Sequence, residues 1–284
     1  MRRQFDKQVK QIKKEENKLL NKKENPLLKA SIEPVADKIQ SYIPGKLKTA
    51  LETAFYKGFR LVFDKGYIYI EKTYDKDKIQ LEYDLNNYAI DKVTKRKYLK
   101  RLDRYSKQSQ MFNSSISVLE GGVLGALGIG LPDIPLFLSL VMKSVYEIAL
   151  SYGYHYESEE EKAYILLLIC TAMSKQEQQK EFYQKLEKLG VDIDDKMASE
   201  IDLEELIKTT AGILSESLLV AKFIQGIPLV GAVGGFVNYN IIRKISKFAG
   251  VKYKKRYYLN KQKRVLPSSG TLTVSYTHLT LPTT

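Results

Sequence analysis

Only three side chains in these 284 residues have the ordinary tools of neutral-pH chemistry: His155, His278 and Cys170. His155 has the better acidic company, with Asp133 and Glu147 upstream and Glu157, Glu159, Glu160 and Glu161 directly after it. A carboxylate and an imidazole brought together can bind a metal or exchange a proton, which would suit a peptide-directed hydrolase using Asp133 and His155. The spacing argues for less. No H-E-x-x-H or G-x-S-x-G occurs, so neither a zincin nor a nucleophile-elbow enzyme is indicated. Each residue also has a plain local role: Asp133 as a helix cap, His155 in a turn, and the glutamates in the acidic first turn of a helix. A lone cysteine excludes an intrachain disulfide and a thiolate zinc cluster, and Cys170 lies in an apolar run where it reads as a small core residue. Gly125–Gly130 (GALGIG) has no following Lys-Ser/Thr and no preceding strand, so it is not a phosphate cradle. No catalytic residue, cofactor or metal is expected.

The elements that would position these residues are helical. At 44% hydrophobic and 28% charged, the chain can bury a core and is neither disordered nor collagen-like. From Pro44 the apolar residues Leu47, Leu51, Phe55, Phe59, Leu61 and Val62 recur at near-helical spacing. GYIYIE (66–71) passes locally for a strand but has no partner. Residues 77–110 read as one or two basic helices, with Ile79, Leu81, Tyr88, Ile90, Val93, Tyr98, Leu99 and Leu102 on the buried side. Ser158 and Glu161 form a capping box ahead of a core helix through Met173. A polar helix over 176–189 should stop at Gly190, VDIDD should be a loop, and 202–225 should be another long helix. The fold class expected is all-α: a multi-helix bundle with two Gly/Pro-interrupted apolar segments.

Those two segments carry the most information. The first holds Gly121, Gly122, Gly125, Gly128 and Gly130, then Leu131, Pro132, Asp133, Ile134 and Pro135. Its glycines let another helix approach closely, and its prolines must break the helix before Asp133 caps the next one, which should run to Tyr152 and end at Gly153. The second, around Pro228, Gly231 and Gly234, leads through Asn238 and Tyr239 into a basic helix. Stretches 118–142 and 218–237 are each long enough to span a bilayer. Asp133 and the prolines in the first argue instead for interfacial or re-entrant insertion at the cytoplasmic face, with two full spans and both termini inside as the alternative.

Charge supports a membrane neighbour. Residues 1–110 carry 27 Lys/Arg against 15 Asp/Glu, net +12; residues 111–240 carry 9 against 18, net −9; residues 241–284 carry 10 against none. Cations outside the apolar segments on both flanks are what anionic lipid headgroups attract. The 1–25 stretch has only a thin apolar stripe (Phe5, Val9, Ile12, Leu19, Leu20) and reads as an exposed amphipathic helix. The cluster Lys95, Arg96, Lys97, Lys100, Arg101, Arg104, interleaved with Tyr98 and Tyr105, is the densest basic patch of the front half. No nucleic-acid motif accompanies it, and nucleic acid is not expected as a partner. The tail VSYTHLTLPTT (274–284) resembles one reading frame of a transposase-type sequencing adapter and is set aside from the fold.

Three runs carry a family resemblance: LEGGVLGALGIGLPDIPLFL with VYEIALSYGYHYESEEEKAYILLLI, then GIPLVGAVGGFVNYNIIRKISKFAGVKYKKRYYL, and upstream AFYKGFRLVFDKGYIYIEKTYDKDK. Together they are similar to the EcsC family over about residues 30–260. The GxGLPDIP element, the YEIAxxYG element with Tyr146, Glu147, Tyr152 and Gly153, and the PLVGAxxG…NY element stand in the family's order. The resemblance implies an accessory protein linked to an ABC-type exporter, membrane-associated, with no chemistry of its own. It also divides the chain into a basic extension (1–25), a helical domain (26–260), a basic tail (261–273) and the adapter-like end (274–284). A lipid-binding or membrane-remodelling module is the remaining alternative, and the oligomeric state is left open.

Overall fold

The computed structural model describes residues 2–21, 44–93, 97–104, 133–224 and 234–265. All regular structure among these residues is helical. Helix α1 spans Arg2–Leu20, α2 Gly45–Leu61, α3 Tyr67–Glu71 and α4 Lys76–Val93. A further helical stretch covers 97–104. Then come α5 (Asp133–Ser151), α6 (Glu159–Met173), α7 (Gln176–Asp194), α8 (Leu203–Ile224) and α9 (Gly234–Val265). The expected all-α bundle is what forms.

Local signals explain most boundaries. The Ser158 hydroxyl accepts from the backbone N–H of Glu161, capping α6 as its sequence requires. The Asp202 carboxylate does the same for Glu205 ahead of α8, at 2.9 Å. Helix α5 ends in a Schellman arrangement: the Gly153 N–H donates to Leu150 O and the Tyr154 N–H to Ala149 O, with Gly153 at φ +79. GYIYIE is not a strand. A π-turn over Val62–Gly66 joins α2 to α3, and a Cβ at Gly66 would lie 2.9 Å from the Leu61 carbonyl oxygen.

Helix α7 runs past Gly190 to Asp194, so all of VDIDD but its last aspartate is helical rather than a loop. The Asp194 carboxylate holds Arg256, and the Asp192 carboxylate accepts from Ser199, so side-chain partners offset the weak helix propensity of the aspartates.

The core is one continuous cluster. On α2, Leu51, Phe55 and Phe59 turn inward toward α5 and α8, and a Cβ at Gly58 would meet Leu138 at 2.6 Å. Helix α6 is apolar all round and buried from Ala163 to Ala172, as expected for a short core helix. Cys170 is fully buried beside Thr210, 3.2 Å away, and burial pushes its thiol up to about 12. Alkylating reagents are therefore expected to leave Cys170 unmodified in the folded protein and to label it fully in denaturant. Rapid labelling of the native chain, followed by mass spectrometry, would contradict this packing.

Two burial expectations are corrected. Ile79, Ile90, Leu99 and Leu102 are buried, but Leu81, Tyr88 and Val93 face outward at 59%, 66% and 50% exposure. Helix α1 is not an exposed amphipath: Phe5, Val9 and Ile12 form a stripe buried against α9.

Candidate functional site

Helix α9 has the most basic run of the C-terminal part, Lys252-Tyr253-Lys254-Lys255-Arg256, followed by Tyr257, Tyr258 and Lys261. A solvated face would be ordinary for such a string. Here α9 is enclosed by α1, α5, α6, α7 and α8, with contacts from α4 and the 97–104 helix. Lys252, Lys254, Lys255, Arg256 and Lys261 are all buried.

A buried cation needs a counter-charge and hydrogen bonds. Each of these has them. Lys252 and Lys255 share Glu16 of α1, at 2.9 and 2.8 Å, and Glu187 of α7, which Lys255 reaches at 2.6 Å. Both ammonium groups also lie over the ring of Tyr183. Lys254 pairs with Asp103 at 2.7 Å, and Lys261 pairs with Asp91.

Arg256 is the most enclosed. It reaches Glu161 and Asp194, both at 2.7 Å, while its guanidinium stacks 4.2 Å from the Tyr154 ring centre and 4.4 Å from that of Tyr164. Tyr253 donates to Glu161 at 3.3 Å. Gly190 opens the way for this cage, because a Cβ there would come within 3.0 Å of Tyr164 and 3.6 Å of Arg256 Cδ. Among the described residues, Arg256 Nη1 and the Tyr164 hydroxyl have no hydrogen-bond partner.

A second cluster lies at the α5–α6 connection. Tyr156 donates to Glu71 at 2.6 Å and meets the Tyr74 hydroxyl at 2.5 Å. Lys76 bridges Glu71 and Glu157 at 2.7 and 2.8 Å. The Tyr146 ring stacks on Tyr156 at 3.8 Å. Burial keeps the phenols of Tyr74, Tyr146 and Tyr156 protonated far above neutrality. Burial raises the Glu157 carboxyl, but Lys76 outweighs this and holds it below its ordinary range. These groups tie α3 and α4 to the α5–α6 turn and leave no phenol poised to exchange a proton at pH 7.

The residues expected to matter are partly brought together. Tyr146 and Glu147 are buried on α5, and Tyr152 donates to Asp103 at 3.3 Å. Gly153 sits against Tyr83, and Ile134 is buried. The Pro135 carbonyl accepts from Ser139. Tyr239 lies under Arg243 at 5.9 Å. Gly234 opens α9, and Asn238 lies in its first turns. Gly121, Gly122, Gly125, Gly128, Gly130, Leu131, Pro132, Pro228 and Gly231 lie outside the described residues.

Asp133 and His155 do not converge. Asp133 opens α5, which is about 27 Å long at 1.5 Å per residue, and His155 follows its other end. His155 is exposed. Among the described residues no group of three His, Cys, Asp or Glu could hold a metal. Sequence reasoning missed Glu16 as the partner of Lys252 and Lys255, and Glu161 and Asp194 as the partners of Arg256. The interleaving of Tyr253, Tyr257 and Tyr258 with the cations was the available signal.

Acid should unfold this core. Burial raises the Glu161 carboxyl above its ordinary range, so on acidification it takes up a proton first, which favours the folded state. Glu16 goes the other way: burial raises it, but Lys252 and Lys255 together hold it lower. Its contribution is present above the ordinary carboxylate pKa and is lost as pH falls through the depressed one. Stability against urea, followed by far-UV circular dichroism, is expected to hold or rise slightly toward pH 5 and to collapse below about pH 4. A flat profile down to pH 3 would contradict the Glu16 pairing.

One helix among the described residues is long and apolar enough to cross a membrane, Ile134–Ser151, and 72% of that window is buried inside the protein. A core helix passes the same test.

Among proteins of known sequence, the chain is 25% identical to Protein EcsC of Bacillus subtilis (strain 168) over 154 residues, covering 53% of this chain and 61% of that relative. No solved structure matches it. The family model for the EcsC protein family matches residues 6–258. That match covers most of the chain, and the chain belongs to the EcsC family.

Proposed function

We propose that this EcsC-family chain is a non-enzymatic accessory protein that sits on the cytoplasmic face of the cell membrane and works with an ABC-type exporter. The observation that carries the reading is the fate of the ionisable groups. Buried cations are matched to carboxylates, and buried phenols are held protonated. Such groups build a stable body rather than an acid–base pair. Family membership supports the exporter link, and the burial of Ile134–Ser151 favours a peripheral body over a spanning one. The distance between Asp133 and His155 counts against the hydrolase reading.

The test is affinity capture of the tagged chain from gently solubilised membranes of a host carrying an Ecs-type exporter. Recovery of the exporter's ATPase or membrane subunit is expected. Recovery of neither, with the chain folded and abundant, would contradict the role.

A further inference from the structure

The sequence has two dense basic clusters, and the structure treats them oppositely. The C-terminal one is buried in ion pairs. The other, at 97–104, keeps Leu99 and Leu102 inward and turns Asp103 onto Lys254, which leaves Lys97, Lys100, Arg101 and Arg104 as its exposed positions. That spacing of i, i+3, i+4 and i+7 makes one face of a helix.

Helix α1 does the same over its whole length. Phe5, Val9, Ile12 and Glu16 face α9, and Arg3, Lys7, Lys10, Lys14 and Lys18 lie exposed along the opposite side. Its acidic residues are Asp6, which accepts from Gln262, Glu15, which accepts from Gln11, and the buried Glu16. Among the described residues, none of these nine cations is paired with a carboxylate.

The two helices pack on adjacent sides of α9. Lys255 and Gln262 contact α1, Lys254 contacts the 97–104 helix and Lys261 contacts α4. At 100° per residue these positions fall within about a third of the circumference of α9. Helix α4, tied to α9 through Asp91 and Lys261, exposes Leu81, Leu85 and Tyr88, with Asp84 among them and Lys92 over the Tyr88 ring. On α6 and α7 the exposed residues instead include Glu159, Glu160, Glu177 and Glu181.

We propose that the outward faces of α1 and the 97–104 helix form a landing surface for an anionic lipid bilayer, with the α4 stripe entering the headgroup layer. This rests on the membrane reading above and names the face that carries it. A bilayer is favoured over a nucleic acid because lysines outnumber arginines six to three on this face, which suits diffuse attraction more than bidentate phosphate contacts. The exposed leucines of α4 also find a partner in lipid that a phosphodiester backbone does not offer.

The test is sedimentation of the full chain with vesicles of pure phosphatidylcholine, and with vesicles containing about a third phosphatidylglycerol. Binding to the anionic vesicles alone, abolished by high salt, is expected. The variant Lys10→Gln/Lys14→Gln/Lys100→Gln/Arg101→Gln should lower the partition coefficient at least about 100-fold. Lys180→Gln/Lys185→Gln/Lys188→Gln/Lys208→Gln, with the same net charge, should lower it less than about fivefold. All eight positions are exposed, so circular dichroism should show both variants folded.

Equal loss in the two variants, equal binding to neutral vesicles, or no vesicle binding at all would overturn the proposal. So would tight binding of duplex DNA that the first variant abolishes while vesicle binding persists. Vesicles contain no exporter and no cell, so failure here leaves the exporter capture experiment to judge the functional reading separately.

Discussion

Arg256→Leu is expected to lower stability by about 3–5 kcal/mol. Arg256 is 5% exposed, and its removal leaves Glu161 and Asp194 facing each other with no cation between them. The leucine also forfeits the stacking on Tyr154 and Tyr164. Urea unfolding followed by far-UV circular dichroism reads the loss directly. Adding Glu161→Gln to Arg256→Leu should recover part of it, because the amide removes one of the two orphaned charges. Arg256→Lys should fall between the wild type and leucine, since an ammonium keeps the charge but not the planar stacking or forked hydrogen bonds. A loss under about 1 kcal/mol for Arg256→Leu would mean the cage is not formed as described.

Gly153→Ala should be nearly as damaging, by a different route. At φ +79 an L side chain is strained by about 1–2 kcal/mol. Its Cβ would also overlap the Tyr83 ring, which is packed against the core and adds an overpacking cost of about 1–3 kcal/mol. The expected total is about 2–5 kcal/mol. Gly212→Ala is the matched control: it lies inside α8 with nothing within 4 Å of a Cβ, and should stabilise by about 0.5–1 kcal/mol. Combining Gly153→Ala with Tyr83→Ala should relieve the overlap and leave the backbone strain. Similar melting temperatures for Gly153→Ala and Gly212→Ala would contradict the close Gly153–Tyr83 approach.

What the sequence disclosed was local. Ser158 before an acidic turn announced the start of α6, Gly153 after a long apolar run announced the end of α5, and Cys170 among aliphatic residues announced its burial. What it concealed was non-local. The burial of Lys252 depends on Glu16, which lies 236 positions earlier, and no periodicity within α9 signals that partner. Apolar identity alone misplaced Leu81, Tyr88 and Val93, because the inward face of α4 is set by Ile79, Asn86 and Ile90. The Asp-rich end of α7 looked like a loop because its stabilising contact, Arg256, belongs to another helix. The charged blocks were visible from composition, but which block stays free of the protein interior could be read only from the packing.

The account is tested most directly by where the chain goes in a bacterial cell. A version ending at Thr273 would be expressed and fractionated, and its membranes washed first with high salt and then with alkaline carbonate. A peripheral body held by the cations of α1 and the 97–104 helix should sediment with membranes at low salt and leave in the salt wash. A chain wholly soluble at low salt, or one retained through carbonate, would contradict that account.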